Sequence, residues 1–201
     1  MSKVYVNDIH NKDGTQAITI DINGNVATSL PTLAKVIQTS DQLNLTEQTW
    51  NKIKWDSAPI DTKSGFDNAN DTYIIRVDGY YRIYCQAYMG VDGEGGSLRD
   101  SGICITRTRG GTVTHLAFSM HDWNNGTTDI TDSTENAYVI DNCQVGDIIE
   151  FYSFANSDTG TDYDVFHSVD AAGDNTHMNV GLPGGEAFGD PISYFTIERI
   201  T

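Results

Sequence analysis

The sequence predicts an all-β protein, a β-sandwich or jelly roll with a short β arm in front of it. Three observations carry that expectation. Apolar residues alternate with polar ones over short runs, the two-residue period of a strand with one buried face. Turn signals such as Asp78-Gly79 and Gly110-Gly111 punctuate those runs at short intervals. Nineteen glycines against four prolines in 201 residues fit a domain of many tight turns and no long helix.

The stretch Asp71 to Met89, DTYIIRVDGYYRIYCQAYM, organises the reading. It opens on Tyr73, Ile74 and Ile75, turns at Asp78-Gly79 and continues as a strand. On that strand Tyr81, Ile83, Cys85, Ala87 and Met89 share one face and fit a sheet core. The other face carries Tyr80, Arg82, Tyr84, Gln86 and Tyr88. Three tyrosines in register give large rigid area with polar tips, the composition of a surface that meets another protein. The plainer reading has them cover the sheet of a monomer.

The N-terminal part differs from the rest. Val4, Val6 and Ile9 form a first short strand, and Ile18, Ile20 and Ile22 alternate with Thr19 and Asp21 between turns at Asp13-Gly14 and Asn23-Gly24. Two or three short strands cannot bury an apolar face alone, so this arm needs a partner. Ser29-Leu30-Pro31-Thr32 reads as a linker, which favours a partner outside the head. The expected division is an arm over 1–32, a linker over 33–44 and a head over 45–201. Within the linker, Leu33 to Gln42 fits a short strand or a helical turn.

From Leu45 the β pattern resumes. Trp50, Ile53 and Trp55 alternate with Lys52 and Lys54. After Met89 come a glycine-rich loop (90–95), a strand over Ile103–Arg109 and its return over Thr112–Met120. A polar loop over 121–134 follows, then strands over Ala137–Ile140 and Asp147–Phe154 flanking Val145-Gly146-Asp147. Segments 156–164 and 170–189 read as loops, and a strand over Ile192–Ile200 closes the chain. No internal repeat or low-complexity segment interrupts this order.

Charge and cysteine usage narrow the function classes. Twelve basic against 28 acidic residues leave a formal net charge of −16. That opposes binding to nucleic acid or to an anionic membrane, both of which need positive surface. Cys85, Cys104 and Cys143 are odd in number and lack metal-site spacing, so each is expected as a small buried side chain made in a reducing compartment. The opening MSKVYVNDIH has no apolar signal region, and no apolar run is long enough to span a bilayer.

No catalytic constellation is readable. His10, His115, His121, His167 and His177 form no HExxH motif, and there is no Gly-x-Ser-x-Gly or phosphate-binding glycine loop. A role as an enzyme is not expected, nor any obligatory cofactor. Asp158, Asp162 and Asp164 on a glycine-containing loop offer the hard oxygen ligands that calcium takes, with solvated loop acids as the default reading. Trp123, in His-Asp-Trp-Asn-Asn-Gly, fits a ring that stacks on a sugar and also one that plugs the end of the sandwich.

From about Trp50 onward the order of features resembles the globular head shared by complement component 1q and tumour necrosis factor. The matching residues are Lys52–Trp55, Gly65-Phe66-Asp67, Asp78-Gly79-Tyr80-Tyr81 inside Tyr73–Tyr84, Tyr138–Val145, Gly146-Asp147, Ile148–Phe154 and Ser193-Tyr194-Phe195-Thr196-Ile197. The resemblance covers about three quarters of the chain. It implies a ten-strand jelly roll that forms homotrimers through aromatic residues near the three-fold axis, with Tyr80, Tyr84, Tyr88, Tyr152 and Tyr194 as candidates. The loops at 90–100, 121–135 and 170–190 are longer than that family's.

The arm, KVYVNDIHNKDGTQAITIDINGNV, resembles the opening of structural and fibre proteins of tailed bacteriophages, marine ones especially. Together the two resemblances imply a protein of the virion surface, made in the host cytoplasm. Its arm would hold the major capsid protein or another virion protein through Val4, Val6, Ile9, Ile18, Ile20 and Ile22. Its trimeric head would be a capsid decoration or spike, or a tail-fibre tip that binds a host surface glycan or protein.

Overall fold

The computed structural model describes residues 8–10, 16–20, 26–28, 31–91, 97–122, 131–160, 162–166 and 192–200. The chain divides into two compact units, Met1–Pro31 and Thr32–Thr201. In the first, strands β1 (Asp8–His10), β2 (Gln16–Ile20) and β3 (Val26–Thr28) form an antiparallel three-stranded sheet in the order β1-β2-β3. Ile9 pairs with Ile18, and Ile20 with Val26, so the alternation read from the sequence is a meander. Val4, Val6 and Ile22 lie outside the described residues.

The second unit is a sandwich of two antiparallel sheets. Its strands are β4 (Leu33–Ile37), β5 (Gln42–Leu45), β6 (Asn51–Lys52), β7 (Ser57–Asp61), β8 (Phe66–Asp67), β9 (Thr72–Ile74) and β10 (Gly79–Gly90). They continue as β11 (Leu98–Arg109), β12 (Thr112–Asp122), β13 (Asp132–Cys143), β14 (Ile148–Ser157), β15 (Tyr163–Phe166) and β16 (Tyr194–Arg199). The first sheet runs β5-β15-β10-β16-β4-β7, with β13 also on β10; the second runs β12-β11-β14-β9-β8, with β6 also on β14.

Several segments differ from expectation. The stretch 33–44 is not a linker. Ala34 and Val36 are fully buried, and β4 pairs with β16 on one side and β7 on the other. Its partners lie far off in sequence, and five residues alone left a short strand and a helical turn both open. Tyr163–Phe166 falls partly inside an expected loop and is a strand buried along its whole length. The strands flanking 121–134 run on to Asp122 and back from Asp132, so only the middle of that segment stays outside the described structure.

The core follows the pleat. Tyr81, Ile83, Cys85, Ala87 and Met89 are all fully buried, as the alternation on β10 requires. The Tyr194-Phe195 and Tyr80-Tyr81 pairs each split across the sheet, one ring outward and one inward. Phe195 is the hub between the sheets. It stacks on Phe151 at 4.4 Å and meets Trp55 edge-on at 5.2 Å, with the Tyr73 and Phe66 rings 6.4 Å away. Such ring pairs add to the area they remove from water.

The turns are built as their residues dictate. Gly110 and Gly111 both have positive φ, +55° and +83°, which a two-residue hairpin turn needs. Gly65 serves closeness: a Cβ there would stand 2.7 Å from the Ile74 carbonyl oxygen and run into the Tyr73 ring. Asp147 ties the β13–β14 turn. Its carboxylate accepts from the Gln144 N–H at 2.8 Å and from the Arg109 guanidinium at 2.7 and 2.6 Å.

Candidate functional site: the outer faces of the sandwich

Each sheet has an outward face, and the two differ in chemistry. On the first sheet, β13, β10, β16 and β4 lie side by side. The outward residues of β10 are Tyr80, Tyr84 and Gln86 with Arg82 between them, and those of β13 are Tyr138 and Ile140. Tyr80, Tyr138 and Ile140 are each about half exposed. Tyr84 and Tyr194 form a tilted ring pair at 5.7 Å, and the Lys35 ammonium sits 5.4 Å over the Tyr194 ring. The Tyr84 hydroxyl donates to Gln86 Oε1 at 2.8 Å, and Gln86 Nε2 to the Ile192 carbonyl at 2.9 Å. Burial and the neighbouring Tyr194 push the Tyr84 phenol up to about 12, so it stays a neutral hydrogen-bonding ring at any ordinary pH. Arg82 and Glu198 pair at 3.0 Å across the same face.

Of the five tyrosines expected at an interface, three share this face: Tyr80, Tyr84 and Tyr194. Tyr88 has the right parity but is only 3% exposed, because β15 reaches alongside the end of β10 and lays the Phe166 ring 5.6 Å from it. Tyr152 sits on β14, in the other sheet. Tyr138 and Ile140 were missed as interface residues. Their signal was the unbroken apolar run Ala137-Tyr138-Val139-Ile140, which marks a strand apolar on both faces.

The second sheet bears a concave groove of about 440 Å³ on its outward face. Cys104 on β11 lies between Phe118 of β12 and Tyr152 of β14, and Thr106 lies between His115 and Glu150. Trp50 closes one end, its ring 5.3 Å from Phe154. Phe118 is 71% exposed and Val113 56%. The sequence reading assigned none of Trp50, Phe118 or Met120 to a site, since their meeting needs the register of three strands.

The other expected site residues stay apart. Asp158 accepts from the Ser97 N–H at 2.8 Å and pairs with Arg99 at 3.3 Å. Asp164 is buried and accepts from the Asn44 N–H at 2.7 Å, while Asp162 is exposed. These carboxylates, proposed from sequence for calcium, therefore do not gather: among the described residues no three His, Cys, Asp or Glu could hold a metal ion. Trp123, His167 and His177 lie outside the described residues. All three cysteines are buried and free. Burial, then Asp141 and Asp147, push the Cys143 thiol up to about 12, which leaves it unreactive.

One polar cluster lies inside the sandwich. Glu135 is fully buried, and its Oε1 accepts from Ser101 at 2.6 Å and Ser133 at 2.5 Å, with His121 Nδ1 2.6 Å from Oε2. The residue types are those of a hydrolytic triad, but the order is wrong. Both serine hydroxyls are held by the carboxylate, whereas an activated serine must give its proton to the imidazole. The cluster ties β11, β12 and β13 together.

No protein-family model matches the chain, and no curated protein matches its sequence. Solved structures do match. Eiger TNF from S. frugiperda aligns with 13% identity and a TM-score of 0.55, over 86% of this chain and 94% of that one. Murine APRIL at pH 5.0 aligns at 11% and 0.51, over 85% and 100%. The globular domain of zebrafish complement 1qA aligns at 9% and 0.50, over 86% and 98%. At these identities the likeness is one of fold: the chain is an all-β jelly roll of the tumour necrosis factor and complement 1q type.

Proposed function

We propose that this chain is a bacteriophage virion structural protein, a homotrimeric capsid decoration or spike. Its arm docks on the particle and its jelly-roll head is exposed. The observation that carries self-association is the outward face of the first sheet. Tyr80, Tyr84, Tyr138 and Tyr194, with Ile140, share that face. Such a surface is rich in tyrosine, as interface cores are, and its Arg82 and Glu198 charges are paired with each other. Copies of net charge −16 repel one another, so contact is favoured where carboxylates are few. The virion part of the reading is supported by the arm sequence, whose small sheet needs a partner to cover its apolar side chains. The role is structural and not enzymatic: the one Ser-His-Glu cluster among the described residues has its hydroxyls on the carboxylate. Electron cryomicroscopy of particles from the source phage tests this, by showing three heads round a symmetry axis of the capsid, each arm seated on a shell protein. Absence of the chain from the shell removes the decoration reading.

A second reading, a tail-fibre or receptor-binding tip, is favoured by the open groove on the second sheet, which faces away from the tyrosine surface. Adsorption of phage to host cells in the presence of excess purified protein separates the two: competition favours the tip, and none favours the decoration.

A further inference from the structure

We infer that the groove on the second sheet is a binding site for a small, uncharged, ring-shaped molecule carrying one hydroxyl, an aromatic alcohol. The inference does not depend on the virion reading or on trimer formation.

Three features define the occupant. The first is the lining. Trp50, Phe118 and Tyr152 supply ring surface, and Val113, Met120 and Cys104 fill between them. A volume of about 440 Å³ falls in the range of small-molecule sites. Leaving so much aromatic surface in water on one face costs free energy that a flat apolar ring recovers.

The second feature is charge. No Asp, Glu, Lys or Arg lines the groove, in a chain of net charge −16. An anionic ligand would meet the repulsion of the whole molecule, and the carboxylate beside the floor, Glu150, is already paired with Lys52 at 2.7 Å and offers a cation little. A neutral ligand matches. A sugar is neutral too, but the lining is mostly apolar, and His115, Thr106 and the Tyr152 hydroxyl are too few to replace the water its many hydroxyls would lose.

The third feature fixes the single polar group. Thr106 lies in the groove floor at 3% exposure, and its hydroxyl has no hydrogen-bond partner among the described residues. A buried hydroxyl without a partner is uncommon and unfavourable. A rotation of about 120° about its χ1 moves the hydroxyl into the place its methyl holds, where it can meet a ligand in the groove. A ligand hydroxyl at the ring edge then supplies the missing bond.

Isothermal titration of the full chain with 2-naphthol, naphthalene and methyl glucoside tests this. Saturable binding of one 2-naphthol per chain is expected, with no binding of methyl glucoside. Thr106→Val, nearly isosteric, should weaken 2-naphthol about tenfold, the worth of a good neutral hydrogen bond, while leaving naphthalene unchanged. Phe118→Ala, at a side chain too exposed to support the fold, should weaken both aromatics. Non-saturable binding, an equal loss for both aromatics in Thr106→Val, indifference to Phe118→Ala, or methyl glucoside binding as tightly as 2-naphthol each overturns the assignment.

Discussion

The two outward faces of the sandwich are made from the same kind of strand and do opposite things with their aromatic residues. On the first sheet the rings lie beside ion pairs and amides, with Arg82–Glu198 and Tyr84–Gln86 tying their polar tips into a surface network. On the second, Trp50, Phe118 and Tyr152 surround a hollow with no charged residue in its lining. The first arrangement offers broad area with fixed hydrogen-bonding tips, the chemistry of a protein interface. The second offers depth and no charge, the chemistry of a small-molecule site. Aromatic content alone does not separate the two. The neighbours set by strand register do.

Both faces stand on one core, and breaking it should erase the distinction. Phe195→Ala removes the ring that joins the sheets and should cost about 3–5 kcal/mol. Chemical denaturation would record the loss, and both self-association and ligand binding should weaken with it. Gly65→Ala should cost about 1–3 kcal/mol by overpacking against Tyr73 and the Ile74 carbonyl. A gain in stability, usual for such a change at an unstrained site, would show that the approach is looser than described.

A gentler change acts at one corner. Burial works to raise the Asp147 carboxyl, but its bond with Arg109, the Gln144 N–H and the charges of Arg109 and Arg107 together hold it below its ordinary value. A carboxylate depressed in the folded state contributes stability that is present above its unfolded pKa and lost as pH falls through the folded one. Melting temperature should therefore fall as pH drops below about 4, and Asp147→Asn should lower it by several degrees at pH 7 while flattening that acid decline. The smallest effect concerns the whole field. Raising sodium chloride from about 0.01 to 0.1 M, which shortens screening to roughly 10 Å, should raise the melting temperature by a few degrees in an assembled acidic protein. Scanning calorimetry reads both.

Local pattern and turn chemistry made much of this legible from sequence. The Asp78-Gly79-Tyr80-Tyr81 turn, the inward row from Tyr81 to Met89 and the Gly110-Gly111 hairpin each follow from a few adjacent residues. What stayed hidden depends on distant partners. Strand β4 is told from a helical turn only when β16 and β7 are beside it, and β15 looks like an acidic loop until β10 covers it. Tyr88 has the parity of an interface residue and loses it to Phe166, 78 residues away. The groove is the extreme case, because Phe118 and Tyr152 come together only through the registers of β12, β11 and β14, and Trp50 joins them through the pairing of β6 with β14. No window of sequence contains them.

The central claim, that the tyrosine face joins three copies, is tested most directly by sedimentation equilibrium of the full chain at micromolar concentration. The account predicts three times the 22.1 kDa chain mass, falling to one chain for Tyr84→Asp with Tyr138→Asp and unchanged for Phe118→Asp with Met120→Asp. A single-chain mass for the unaltered protein, or dissociation by the second pair of changes but not the first, would contradict it.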